Sequence, residues 1–306
     1  MTYKNCKELF LMYIKSYCAE PTQEYYKLNL GLFERFILDI GKTLDDDINT
    51  FTKNHYIGYL CACREKGVKN TSVRTYIRAI KVFFRYCYNE GHMIDNITKN
   101  VKQPKSDKRQ IVPLTTSRVE KIYSSMLGSR CELRNRAIFS LMLDCGLRLG
   151  EVVALDKNCI DYDNDCIQII NTKNNKSRIV PLPLSVKQNI KKYLATREDV
   201  HNALFLDANG CGRVTEKGIQ VFMHRLKKVD SGVHCHLLRH TFATSFMMGG
   251  GQLEILRVLL GHDEYIVTKD YIHLASQLGV INYDIYRLDG VMFSRYIAYT
   301  PSTATY

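Results

Sequence analysis

A chain of 306 residues with 45% hydrophobic and 10% aromatic residues is long enough for two domains, each burying its own core. No apolar run approaches the roughly 18 residues of a membrane span, and MTYKNCKELFLMYIKSYC interrupts its apolar residues with Lys7, Glu8 and Lys15; a cytoplasmic protein without a membrane association is expected, not an exported one. The 43 Lys and Arg against 31 Asp and Glu, a formal charge of +12, favour a polyanionic partner, while the 11 cysteines lack a C-x-x-C pair, which excludes a four-cysteine zinc module and fits reduced thiols.

Apolar residues at i, i+3, i+4 and i+7 predict helices over 3–18, 21–40, 51–66 and 70–90. Breaks fall at Pro21, at Gly41 before the acidic DDDIN, at Gly67 and at Glu90-Gly91. In the fourth helix an apolar face runs through Val73, Tyr76, Ile77, Ile80, Phe83 and Phe84. Arg74, Arg78, Lys81 and Arg85 form a basic row beside it, either a solvated face or a clamp on phosphates. Residues 1–110 hold 19 Lys or Arg against 12 Asp or Glu, so this part of the chain is expected to touch the polyanion. Residues 1–100 are read as one helical domain and the polar stretch 101–112 as a linker. Its Lys102, Lys105, Lys108 and Arg109 suit it to lie along a phosphate backbone.

The second domain, 113–288, opens with predicted helices over 115–128 and 131–145, a turn at Cys145-Gly146 and a further helix from Arg148 to Leu155. Two β-prone runs, 165–171 and 178–182, flank T-K-N-N-K-S and predict a hairpin. Helices are expected again over 184–196, 215–229, 235–248, 252–260 and 264–277. Residues 289–306, ending in TPSTATY, read as a loosely ordered tail. The fold class is therefore mainly α, with an all-helical N-terminal domain and a mixed, mostly α second domain carrying a small antiparallel β hairpin or sheet.

HCHLLRHTFAT, residues 234–244, gathers three histidines and an arginine within seven positions. His236 and His240 stand four apart like helical zinc ligands, but the glutamate a zinc hydrolase needs beside the first ligand is Leu237 here; no metal is expected. A phosphate site fits better. Arg148 follows the glycine turn of C-G-L-R-L-G-E, with Glu151 one helical turn on to hold its guanidinium. His236, Arg239 and His240 share a helical face, and LLGH ends a helix at Gly261 so that His262 projects from a loop.

The order Arg148, Lys173 at the hairpin tip, His236 with Arg239, His262, and Tyr271 nine residues later resembles the tyrosine recombinase (integrase) family. The motifs C-G-L-R-L-G-E, T-K-N-N-K-S-R-I-V-P-L, H-L-L-R-H-T-F-A-T, LLGH and D-Y-I-H-L carry the likeness, which spans roughly residues 1–285. The resemblance implies a SAM-like core-binding domain followed by a catalytic domain. It also implies site-specific cutting and rejoining of DNA through a covalent 3′-phosphotyrosyl intermediate, with no cofactor, metal or ATP. Tyr271 would be the nucleophile and His236 its base. Arg148 and Arg239 would stabilise the phosphorane, His262 would hydrogen-bond the scissile phosphate, and Lys173, or Lys176 in another hairpin register, would protonate the leaving 5′ hydroxyl. Glu151 and His240 would support these groups from behind.

Two features depart from the family pattern: the link DEYIVTKD after His262 is acidic and carries a competing Tyr265, and MGGGQL places a flexible glycine run before the last helix of the site. Expected partners are double-stranded DNA recombination sites, three further copies in a synaptic homo-tetramer, and an accessory or directionality protein. The favoured role is integrase or transposase of a mobile genetic element. The alternatives are an Xer-like chromosome-dimer resolvase or a DNA invertase, a type IB topoisomerase, and a DNA-binding accessory protein without activity.

Overall fold

Helix periodicity organises the first part of the chain as four helices: α1 (Tyr3–Lys15), α2 (Glu20–Asp39), α3 (Lys53–Glu65) and α4 (Asn70–Asn89). The computed structural model describes residues 1–105, 112–171 and 176–261 and divides into two units, 1–109 and 110–306. Thr2 caps α1 by accepting the Asn5 N–H at 3.2 Å, and the Thr52 N–H at the start of α3 donates to His55 Nδ1 at 3.0 Å, so orphan donors of both first turns are satisfied. The core of this unit is aromatic. Phe83 of α4 meets Tyr3 at 5.2 Å and Phe10 at 5.5 Å, both edge-on, and Phe84 meets Phe33 at 5.8 Å, a geometry that adds to the area each ring buries. Val73, Ile77, Ile80, Phe83 and Phe84 are buried as the apolar stripe requires, while Tyr76 is only partly covered.

In the second unit α5 (Thr116–Ser125), α6 (Glu132–Asp144) and α7 (Leu149–Ala154) precede the sheet. Residues 101–105 before it carry no regular structure, and 106–111, with Lys108 and Arg109, lie outside the described residues. The sheet has three antiparallel strands in the order β1 (Ile160–Asp161), β2 (Cys166–Asn171), β3 (Lys176–Pro181). The expected hairpin is therefore extended by a short third strand, and β3 begins two residues earlier than the β-prone run. Its register pairs Ile169 with Arg178 and Ile167 with Val180. Ile167, Ile169 and Val180 are buried, whereas Ile170 and Ile179 are exposed, so alternation places Arg178 on the inward face.

Helices α8 (Leu184–Leu194), α9 (Glu216–Leu226), α10 (Cys235–Met248) and α11 (Leu253–Leu260) complete the described part. Helix α6 is buried continuously from Ala137 to Asp144 and α10 from Leu237 to Leu238 and from Thr241 to Phe246, with Arg239 buried between. Helices apolar on all sides belong at the centre, and α10 packs on α6, which packs on α8. The described helix ends lie within three residues of the predicted spans. No described helix is long and apolar enough to cross a membrane.

Candidate active site and nucleic-acid interface

The turn from α6 to α7 starts the site. Gly146 has φ +65°, and a Cβ added there would lie 2.4 Å from Phe242 Cδ1 on α10, so both the backbone conformation and the close approach require glycine. Its carbonyl accepts Arg239 Nη1 at 2.7 Å. Two residues on, Arg148 occupies the N-cap of α7, and Glu151 in the first turn accepts the Arg148 N–H at 2.7 Å and Arg148 Nη1 at 3.0 Å.

Glu151 is the hub of the site. Arg178, from the inward face of β3, grips it with two bonds of 2.8 Å, Nη1 to Oε1 and Nη2 to Oε2, and Arg239 Nη1 stands 4.0 Å from Oε2. Burial would push the Glu151 carboxyl up. The hydrogen bonds and charge of Arg178, with the N–H and charge of Arg148, outweigh it and hold the carboxyl down at about 2. Three guanidiniums thus surround one carboxylate, a local excess of positive charge suited to a phosphate.

The same three arginines close the end of α11. Arg178 Nε donates to the Leu259 carbonyl at 2.8 Å, Arg239 Nη2 to that of Leu260, and Arg148 Nη2 to that of Gly261 at 3.0 Å. Three successive orphan carbonyls at the negative end of a helix are satisfied by cations. Gly261 ends the helix in the left-handed conformation, φ +60°, where a Cβ would sit 3.0 Å from Arg178 Nη1.

Arg239 is buried, Arg148 remains 35% exposed, and His236 is exposed at the first turn of α10. Partial burial, and then the positive charges of Arg239, His234 and Arg148, push the His236 imidazole below its ordinary value, which favours the neutral, proton-accepting form at pH 7. His240 is half-buried one turn further on. Asp144, at the end of α6, is buried, which pushes its carboxyl up to about 7. The structure therefore brings together Arg148, Glu151, His236 and Arg239. Lys173, His262, Tyr271 and Tyr265 lie outside the described residues, as does the side chain of Lys176.

Sequence reasoning did not single out Arg178. The available signal was a charged residue two positions before Val180, on the face of a strand that alternation turns inward. The carbonyls of residues 259–261 had no signal, because any side chain leaves them present.

A second basic surface belongs to the first unit. Arg74, Arg78, Lys81 and Arg85 line a groove of about 270 Å³ together with Lys99 and the polar Asn96, Thr98, Asn100 and Gln103. Arg78 and Arg85 are exposed, and Arg74 Nη1 donates to the Pro104 carbonyl at 3.3 Å, tying α4 to the start of the linker. Lys102 and Lys105 are exposed beside it in sequence. Among the described residues no three His, Cys, Asp or Glu side chains gather as a metal-ligand set.

Comparison with known proteins matches residues 112–277 to the phage integrase family and residues 8–91 to the phage integrase N-terminal SAM-like domain. Tyrosine recombinase XerC of Actinobacillus pleuropneumoniae serotype 7 is 27% identical over 86% of this chain and 87% of its own length. Tyrosine recombinase XerD of Listeria monocytogenes serotype 4b is 27% identical over 88% and 93%. Among solved structures, the Tn1549 transposon integrase in complex with transposon right end DNA superposes with a TM-score of 0.74 at 19% identity, covering 89% of this chain and 94% of that one. A lambda integrase dimer bound to a COC′ core site gives 0.72 at 18%, covering 89% and 95%. These likenesses to solved structures are likenesses of fold.

Proposed function

The chain belongs to the phage integrase family of tyrosine recombinases, and from that membership we propose how its residues divide the work of site-specific DNA strand transfer. The Glu151-centred cluster of arginines carries the reading. Tyr271 Oη attacks the scissile phosphorus, the bond to the 5′ oxygen breaks, and a 3′-phosphotyrosyl ester stores the bond energy for rejoining without ATP. Charge developing on the non-bridging oxygens is met by Arg148 and Arg239, fixed cations preorganised by the carbonyls of Gly146 and residues 260–261. In these contacts Arg148 commits two of its five N–H groups and keeps others for phosphate. His236, favoured in its neutral form, takes the Tyr271 proton. Lys173 gives one to the departing 5′ oxygen, which leaves as a hydroxyl, and His262 hydrogen-bonds the phosphate. His240 supports this set from α10.

The groove of Arg74, Arg78, Lys81 and Arg85, continued by Lys102, Lys105, Lys108 and Arg109, holds the duplex backbone. Four copies assemble on two duplexes, with residues 277–288, whose Leu278, Ile281, Ile285 and Leu288 recur at helical spacing, docking on a neighbouring copy and an accessory protein setting direction. Integration of a mobile element is the proposed role. The XerC and XerD relatives, similar along nearly the whole chain, support dimer resolution as a second reading. Selecting bound sites from a fragment library, then incubating a plasmid bearing two of them with the protein in excess EDTA, tests the proposal. Resolved circles are expected; a protein that binds its sites and yields no exchanged or nicked product would refute it.

A further inference from the structure

Beyond the two phosphate-binding arginines, we infer that Arg178 is a positioning residue of the strand-transfer site, which locks the Glu151 carboxylate so that Arg148 is seated and Arg239 is held at ion-pair distance from it. This rests on the reading of Arg148 and Arg239 given above. All three nitrogens of the Arg178 guanidinium are spent within the protein: Nη1 and Nη2 on Glu151 and Nε on the Leu259 carbonyl. Three of its five N–H groups thus serve the Glu151 carboxylate and the end of α11. Its planar fork fixes both carboxylate oxygens at once, which an ammonium cannot do.

With both oxygens held, Oε1 still accepts Arg148 Nη1 at 3.0 Å and Oε2 the Arg148 N–H at 2.7 Å. Arg239 is kept at 4.0 Å, outside hydrogen-bond reach. Without Arg178 the half-neutralised carboxylate would close on Arg239 or Arg148 and cancel charge meant for the phosphate. Arg178 also joins three segments: the strand that follows Lys173, the α7 turn that carries Arg148, and the end of α11 that leads to His262. One side chain thus sets the relative positions of the segments from which three proposed phosphate-handling groups extend.

The test is a double-mutant cycle of Arg178→Gln and Glu151→Gln, read as the single-turnover rate of covalent adduct on a nicked suicide substrate. Melting temperature and site affinity are measured alongside. Arg178→Gln is expected to slow adduct formation about 10- to 100-fold, as loss of supporting partners does, with site affinity unchanged. The double variant is expected to be no slower than the slower single variant, within about threefold, because one interaction is removed twice. A second readout is the pH profile. In Arg178→Gln the carboxyl returns toward its ordinary value and adds an inflection between about pH 4 and 7, absent from the double variant, in which every other titrating group, His236 included, is shared. Arg178→Lys, which keeps the charge and loses the fork, should fall between wild type and Arg178→Gln. If Arg178→Gln does not fold, Arg178→Lys and the charge-balanced double variant carry the comparison. Multiplying rate losses, or Arg178→Gln or Arg178→Lys at the wild-type rate, overturn the inference. Wild-type protein that binds its site without forming adduct would instead refute the strand-transfer reading itself.

Discussion

Gly146→Ala strikes the turn on which two of the arginines depend. At φ +65° an alanine pays roughly 1–2 kcal/mol for the left-handed conformation. Its Cβ would lie 2.4 Å from Phe242 Cδ1, 2.9 Å from Cε1 and 3.1 Å from Cγ. The ring is buried in a cluster with Leu256, Leu259 and Leu260 of α11, so displacing it adds a further cost of about 1–3 kcal/mol for overpacking. The sum, about 2–5 kcal/mol, is a large part of a domain's stability and corresponds to about 4–20 °C in Tm for a unit of this size. Function should fall with it, because the Gly146 carbonyl holds Arg239 Nη1. Calorimetry of Gly146→Ala in wild-type and Phe242→Ala backgrounds separates the two costs. Removing the ring should leave only the backbone penalty, about 1–2 kcal/mol. A loss below about 1 kcal/mol, or the same loss with and without the ring, would refute the packing argument.

Asp144→Asn should change the pH dependence of stability. The folded-state carboxyl sits at about 7, above its unfolded value, so its contribution is complete below about pH 4 and is lost as pH rises through 7. The variant should match wild type in unfolding free energy near pH 4 and exceed it at pH 8 by up to about 4 kcal/mol; equal curves across that range would contradict a buried, ionising Asp144. Arg78→Ala or Arg85→Ala should weaken binding to all DNA sequences alike and reduce the slope of log affinity against log salt by about 1, measured by fluorescence anisotropy; loss of sequence preference with an unchanged slope would assign these residues to base edges instead. Truncation before Gln277 should spare binding to a single site and abolish synapsis in a gel-shift assay, and recombination at the full-length rate would leave that segment no role in trans.

The helices were legible because their apolar residues repeat at 3.6, a period that α4 keeps from Val73 to Phe84. Strand β1 was not, since two residues, Ile160 and Asp161, are too few to alternate. Helices α6 and α10 were legible as helices but not as the centre of their unit, because a helix covered on all sides shows no stripe. Of the site, the Arg148–Glu151 spacing pointed to an ion pair without help from any other part of the chain. Arg178 stayed hidden because its partner lies 27 positions away, across a sheet whose register no local pattern fixes. The carbonyl triplet at Leu259, Leu260 and Gly261 is backbone chemistry, and only the packing of α7, β3 and α10 around that helix end makes it a binding feature.

The proposed roles of Tyr271 as carrier of the DNA strand and of arginines, in place of a metal, as stabilisers of the transfer stand or fall on the covalent adduct. They are tested most directly by trapping the adduct on a nicked suicide substrate in excess EDTA, digesting it, and mapping the nucleotide-bearing peptide by mass spectrometry. A 3′-phosphoryl nucleotide on Tyr271 is expected, at full yield under chelation, and none from Tyr271→Phe, which should bind the same DNA with unchanged affinity. A nucleotide on Tyr265, or adduct that disappears with EDTA and returns with Zn²⁺ or Mg²⁺, would contradict these roles.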